Sequence, residues 1–215
     1  WLNNTALSVL ENNTANATAG NGIYLTNSSN NTIRFANVSN NAGTGSGLWL
    51  NNSRNNLLFN ISANSISNPG LLLMTSTNNN LSYNKPTSTS SSGLLLNTSS
   101  TNNEITNTSA TSVSGVGLRI ESSNANILNN NTVTSTSSAG IELLASNNNN
   151  VTNNLGVSTS GVGIRLENSN SNNLTQNKGT SDSSAGILLL TSSNNLEGNN
   201  ATSSTGQGLL LQISN

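Results

Sequence analysis

The sequence predicts an all-β protein built as a parallel β-solenoid of about nine coils of ~23 residues. The first observation is a four-residue figure, Gly140-Ile141-Glu142-Leu143, in which a glycine precedes two apolar residues flanking a variable one. The figure recurs from Gly22, Gly47, Gly70, Gly93, Gly117, Gly163, Gly186 and Gly208, so with Gly140 the successive spacings are 25, 23, 23, 24, 23, 23, 23 and 22. The second observation is that the apolar positions alternate, which puts Ile141 and Leu143 on one face and Glu142 on the other, as in a strand. Helical spacing is missing, and the Asn, Ser, Thr and Gly richness opposes helices. One coil cannot bury its own apolar face; nine stacked coils make a continuous core.

Two further columns fit the same coil. Twelve residues before the glycines stand Leu10, Leu81, Ile105, Leu128, Val151, Leu174 and Leu196, with Ile33 and Leu57 read as slightly shifted members. Fourteen before stand Asn56, Asn79, Asn103, Asn126, Asn149, Asn172 and Asn194. Nine before stand Asn13, Asn84, Asn131, Asn154, Asn177 and Asn199, interrupted by Thr108. Identical amides one rung apart can donate to one neighbour and accept from the other, and asparagine tolerates the left-handed backbone of a corner. The whole of 1–215 reads as a single solenoid domain, with 1–20 an irregular or incomplete first coil, an expanded corner from Asn37 to Gly47 and an uncapped C-terminal end.

At these residues the chain resembles the right-handed parallel β-helix repeat: Gly-Ile/Leu-x-Leu, then Ser-Asn-Asn-Leu/Ile, then Asn and small residues. Such repeats occur in carbohydrate-binding and sugar-hydrolase-type proteins and in periplasmic copper-maturation proteins. The resemblance covers nearly the whole chain and implies the fold; that fold hosts lyases, hydrolases, adhesins and stalks, so it implies no single activity.

Composition narrows the chemistry. Asn, Ser and Thr make up about half the residues, a bias that suits disorder, but a disordered chain would not hold the glycine beat nine times. Six Lys and Arg against seven Asp and Glu give a net charge of −1, without the basic stripe a nucleic-acid partner needs. No apolar run reaches the ~20 residues of a membrane-spanning helix. Histidine and cysteine are absent and Met74 is the one methionine, which removes triad chemistry and the usual zinc and copper ligands. The expectation is therefore no catalytic residue, no metal and no cofactor.

Three surface features remain. The outward position of the glycine strand reads Tyr24, Trp49, Leu72, Leu95, Arg119, Glu142, Arg165, Leu188 and Leu210. Arg119, Glu142 and Arg165 alternate in sign one rung apart, with Glu121 and Glu167 two residues on; they read as a surface charge ladder or, alternatively, as a sugar-binding or catalytic cleft. The apolar members Tyr24, Trp49, Leu72, Leu95, Leu188 and Leu210 form a stripe expected to mediate self-association, end to end or lateral, with the two aromatics also able to stack on sugars. Runs such as Thr134-Ser135-Thr136-Ser137 precede each glycine and read as wall-filling residues or an ice-binding hydroxyl face. Fifteen Asn-x-Ser/Thr sequons, among them Asn27, Asn51, Asn97, Asn107, Asn130 and Asn200, match the chance expectation for this composition. They would carry N-glycans in a secreted chain.

The expectation that results is a non-enzymatic extracellular or cell-surface structural rod: stalk, surface layer or filament, with itself and glycans as partners. A carbohydrate-binding or polysaccharide-degrading β-helix is the alternative, and an ice-binding solenoid the third reading.

Overall fold

In the computed structural model, which describes Trp1 to Gln212, each turn of the chain lays down three short strands and returns to the first. One representative coil runs Ile141–Leu144, Asn150–Thr152 and Leu155–Ser158 before Ile164–Glu167 begins the next. Like stacks on like, giving three wholly parallel sheets of 10, 9 and 9 strands. The register is one residue to one: Ile141 lies against Ile164, Val151 against Leu174 and Ser158 against Ser181.

Inward residues of the three sheets meet in a narrow apolar core along the axis. Leu73, Leu96, Ile120, Leu143 and Leu166 contribute from the first sheet, Leu81, Ile105, Leu128, Val151 and Leu174 from the second, and all are fully buried. The third sheet adds small residues, Ala63, Ala110 and Val133, which bring its backbone close to the first. That approach accounts for the glycine beat. A Cβ on Gly93 would sit 2.7 Å from the Thr111 carbonyl oxygen and 2.8 Å from the Thr111 nitrogen, with backbone rather than a movable side chain in the way.

The corner between the first and second sheets is held by side chains standing in for a backbone ladder. Asn103 Oδ1 accepts from the Asn79 backbone N–H at 2.9 Å and the Asn79 amide at 3.0 Å, and the Asn103 amide donates to the Ser76 carbonyl at 2.9 Å. The same pattern runs from Asn31 to Asn194. Between the second and third sheets a second amide column does likewise: Asn154 Oδ1 accepts from Asn131, and Thr108 and Ile61 enter only as backbone donors to Asn131 and Asn84. A further serine column (Ser28, Ser53, Ser76, Ser100, Ser123, Ser146 and Ser169), 17 residues before the glycine from Ser53 onward, accepts the backbone N–H of the preceding copy at 3.0–3.2 Å.

The third corner uses the serines that precede the glycines. Ser135 Oγ donates to the Gly115 carbonyl at 2.7 Å and accepts from the Ser138 N–H at 3.0 Å, and Ser88, Ser112 and Ser158 repeat this. These hydroxyls are therefore turned into the wall and spent there. In the expanded corner Asn40 takes the serine's place: its amide reaches the Gly20 carbonyl, its oxygen accepts from the Gly43 N–H at 2.8 Å, and Gly43 turns through φ +89°. The two extra residues are absorbed there, so Ile33 stays in register with Leu10 and Leu58.

Two sequence expectations need restating. Leu58, not Leu57, is the inward residue of its coil: Leu58 is fully buried and Leu57 is 38% exposed, because the strand Leu57–Phe59 has its middle residue facing in. Segment 1–20 supplies strands to all three sheets, Leu2–Asn3, Val9–Glu11 and Thr14–Ala17, although the first has only two residues. The uncapped end was read partly from Ile213, Ser214 and Asn215, which lie outside the described residues.

Replacing Asn126 by Ala leaves the Asn103 backbone N–H and amide without the oxygen they share. We expect a loss of about 1–3 kcal/mol in urea unfolding, the cost of orphaned buried donors. Gly93→Ala, which forces two coils apart, should cost at least as much, and the same melts measure it.

Candidate functional site

The outward face of the first sheet carries the chain's densest charge. Arg119, Glu142 and Arg165 are cross-strand neighbours on three successive rungs. Arg119 Nε lies 3.2 Å from Glu142 Oε2 and 3.4 Å from Glu121 Oε2. Arg165 Nη1 lies 3.3 Å from Glu142 Oε1, and its Nη2 meets Glu167 Oε2. The result is a five-membered chain, Glu121–Arg119–Glu142–Arg165–Glu167, of net charge −1 by 2 − 3. Glu142 is its hub and is only 6% exposed. The guanidinium groups are not saturated: Arg119 Nε and Arg165 Nε are buried without an aligned hydrogen-bond acceptor. Both nitrogens are closed off from solvent, so a ligand would meet the exposed third of each arginine side chain instead.

Apolar residues continue the face in both directions. Leu95, Leu188 and Leu210 are half-buried and Leu72 is 9% exposed; the first two and Leu72 have a rung on both sides, whereas Leu210 lies on the last strand of its sheet and pairs with Leu188 alone. Toward the N-terminal end the stripe becomes aromatic: Trp1 and Tyr24 stack at 6.3 Å, and Tyr24 and Trp49 meet at 4.8 Å. The Asn51 amide donates to the Tyr24 hydroxyl at 3.1 Å, and Trp49 Nε1 is a further buried donor with no partner.

The sequon residues do not gather at this face alone. Asn27, Asn130 and Asn200 are exposed on corners or strand starts, and Asn51, Asn97 and Asn107 are half-buried. The Asn51 and Asn130 amides already donate, to Tyr24 and to Asn107.

A second cluster, not singled out by the sequence, lies at the corner between the second and third sheets. Phe35 and Phe59 meet edge to face at 5.5 Å, as do Phe59 and Tyr83. They line a cavity of about 490 Å³ with Asn60, Lys85 and Asn107. Among the described residues no group of three His, Cys, Asp or Glu could hold a metal ion, and no helix is long and apolar enough to cross a membrane.

The profile of the right-handed β-helix region matches residues 1–117 and 87–214, and the chain belongs to that family. A search of curated proteins finds no match. Among solved structures it is similar to the A-module of an Azotobacter vinelandii mannuronan C-5 epimerase, at 14% identity over 98% of this chain and 59% of that one, with a TM-score of 0.66. A periplasmic alginate epimerase matches at 14% identity over 87% and 60% with a TM-score of 0.57, and the Dettilon tailspike protein at 12% over 96% and 60% with 0.58. The chain thus spans about 60% of the length of each. At these identities the likeness is one of fold.

These neighbours correct the expectations of a non-enzymatic rod and of a chain that is not an enzyme. Solved chains that share this coil include two named as epimerases of a polysaccharide, which supports the carbohydrate-directed alternative instead. The expectations rested on the missing histidine and cysteine. That absence removes imidazole and thiol chemistry but leaves carboxylate, guanidinium and phenol groups, which are enough for proton transfer at a sugar.

Glu142→Gln leaves two guanidinium groups facing an uncharged amide. With the arginines about one-third exposed, the expected loss is about 1 kcal/mol, shrinking as salt is raised, measured by thermal melts at two ionic strengths.

Proposed function

We propose that this chain is a carbohydrate-active β-helix protein that binds a polysaccharide along the outward face of the first sheet. The carrying observation is Glu142 held between Arg119 and Arg165 at the centre of an apolar and aromatic stripe. Sugar rings present apolar C–H faces and a rim of hydroxyls. The stripe suits the first and the charged cluster the second. Rungs lie ~4.8 Å apart, about one pyranose ring each, so a glycan laid along the axis meets one outward side chain per sugar. Support comes also from the polysaccharide epimerases that share the fold. Any reaction would rely on a carboxylate as base or acid, with guanidinium groups stabilising developing negative charge. Such a role belongs outside the cytoplasm, where polysaccharides are met, in keeping with periplasmic and phage-tail neighbours.

Titration calorimetry with oligosaccharides of alginate, pectate and dextran tests this. Binding to at least one is expected. Glu142→Gln should weaken it tenfold or more, Trp49→Ala should weaken it severalfold, and proton NMR of the incubated polymer should reveal turnover. Binding unaffected by either substitution would refute the assignment of this face.

A further inference from the structure

We infer that the corner between the second and third sheets is a second, separate glycan-binding site, built from Phe35, Phe59, Tyr83 and Lys85 and shaped for an acidic pyranose. The inference rests on the carbohydrate-directed reading above but uses none of the same residues. Its first support is backbone conformation. The corner position after each second-sheet strand is left-handed, and Asn12, Asn60, Asn107, Asn130, Asn153, Gln176 and Gly198 fill it in most coils. Two coils instead place Phe35 at φ 54° and Tyr83 at φ 58° there. Bulky side chains are disfavoured in this region, and asparagine next door shows that a better-suited residue fits the same corner. Strain of this kind is kept where the side chain is used.

Burial does not explain the choice. Phe35 is 43% and Tyr83 52% exposed, so neither fills the core. With Phe59 between them at 5.5 Å to each, they form a ladder of ring faces and edges along one wall of a cavity of about 490 Å³. The other lining residues, Asn60, Asn84, Lys85, Asn107 and Ser109, all carry polar side chains. Among the described residues Lys85 is in no ion pair, although the chain pairs three of its four arginines. Aromatic faces ringed by amide and hydroxyl groups suit a pyranose, whose C–H face stacks while its hydroxyls bond at the edge. An unpaired lysine among the lining residues selects a ring that carries a carboxylate.

The test uses the whole chain, with hexamannuronate as acidic probe and maltohexaose as neutral probe. Calorimetry should resolve two classes of hexamannuronate site in the native protein. The Phe35→Asn, Tyr83→Asn double variant restores the residue the corner prefers. It should melt at or above the native temperature and lose one class entirely. Lys85→Gln should weaken that class about tenfold, and maltohexaose should bind there at least tenfold more weakly than hexamannuronate. Retention of both classes by the double variant overturns the inference, as does a double variant that no longer folds cooperatively, since the aromatics would then be a structural staple. Equal binding of the neutral probe also overturns it, as does a double variant that binds normally but turns a dimer into a monomer, which would make the corner a contact between copies. If Glu142→Gln alone abolishes all binding, the corner site falls and the first-sheet site stands. If only the double variant matters, the reverse holds, and no binding of either probe to the native protein removes the corner site.

Discussion

Everything in this fold depends on how the corners satisfy their peptide groups. A coil bends three times per turn, and each bend takes backbone N–H and C=O groups out of the sheet ladder while keeping many of them away from water. Side chains must then replace the missing partners. The Asn79–Asn103–Asn126–Asn149 column does so by having one oxygen accept twice from the copy on one side and one amide donate to the other. Because the partner is always the equivalent residue one rung away, the same residue type is required again and again. The unusual composition follows from this requirement.

The same rule explains why the chain is so poor in charge. In a parallel in-register stack, any side chain faces its counterpart at one rung, and a charged column would set like charges side by side. Neutral amides and hydroxyls avoid that. Charge enters where signs alternate, as in Arg119–Glu142–Arg165 and in Glu11–Arg34. The outward face of the first sheet is therefore the place where the stack was free to vary, and variation there has produced the ion-pair cluster centred on Glu142.

Much of this was legible in the sequence. The glycine beat, the two amide columns and the alternation that puts Glu142 outside all read correctly, since each repeats at a constant distance from the next. The corner serines from Ser53 to Ser169 share that constancy, but the aromatic corner lacks it. Phe35 and Tyr83 occupy one column while Phe59 stands one residue earlier, across from Arg34 and Ser82. Three aromatics split between adjacent columns form no line in an aligned repeat, yet they touch in space. Leu57 was mistaken for Leu58 because both are leucine. The polysaccharide reading was underrated because missing residue types were weighed more heavily than the carboxylate and guanidinium groups that remain.

The one-to-one register of the three sheets has a consequence for how such a chain changes length. Each turn touches only its two neighbours, so a segment copied or removed in units of the glycine interval keeps core residue on core residue and corner amide on corner amide. A loss of half that interval would set core leucines against corner asparagines. Growth and shrinkage of this molecule are therefore quantised in whole turns, and a gene encoding it can lengthen or shorten the stack by tandem duplication or deletion, without a new kind of core or corner contact.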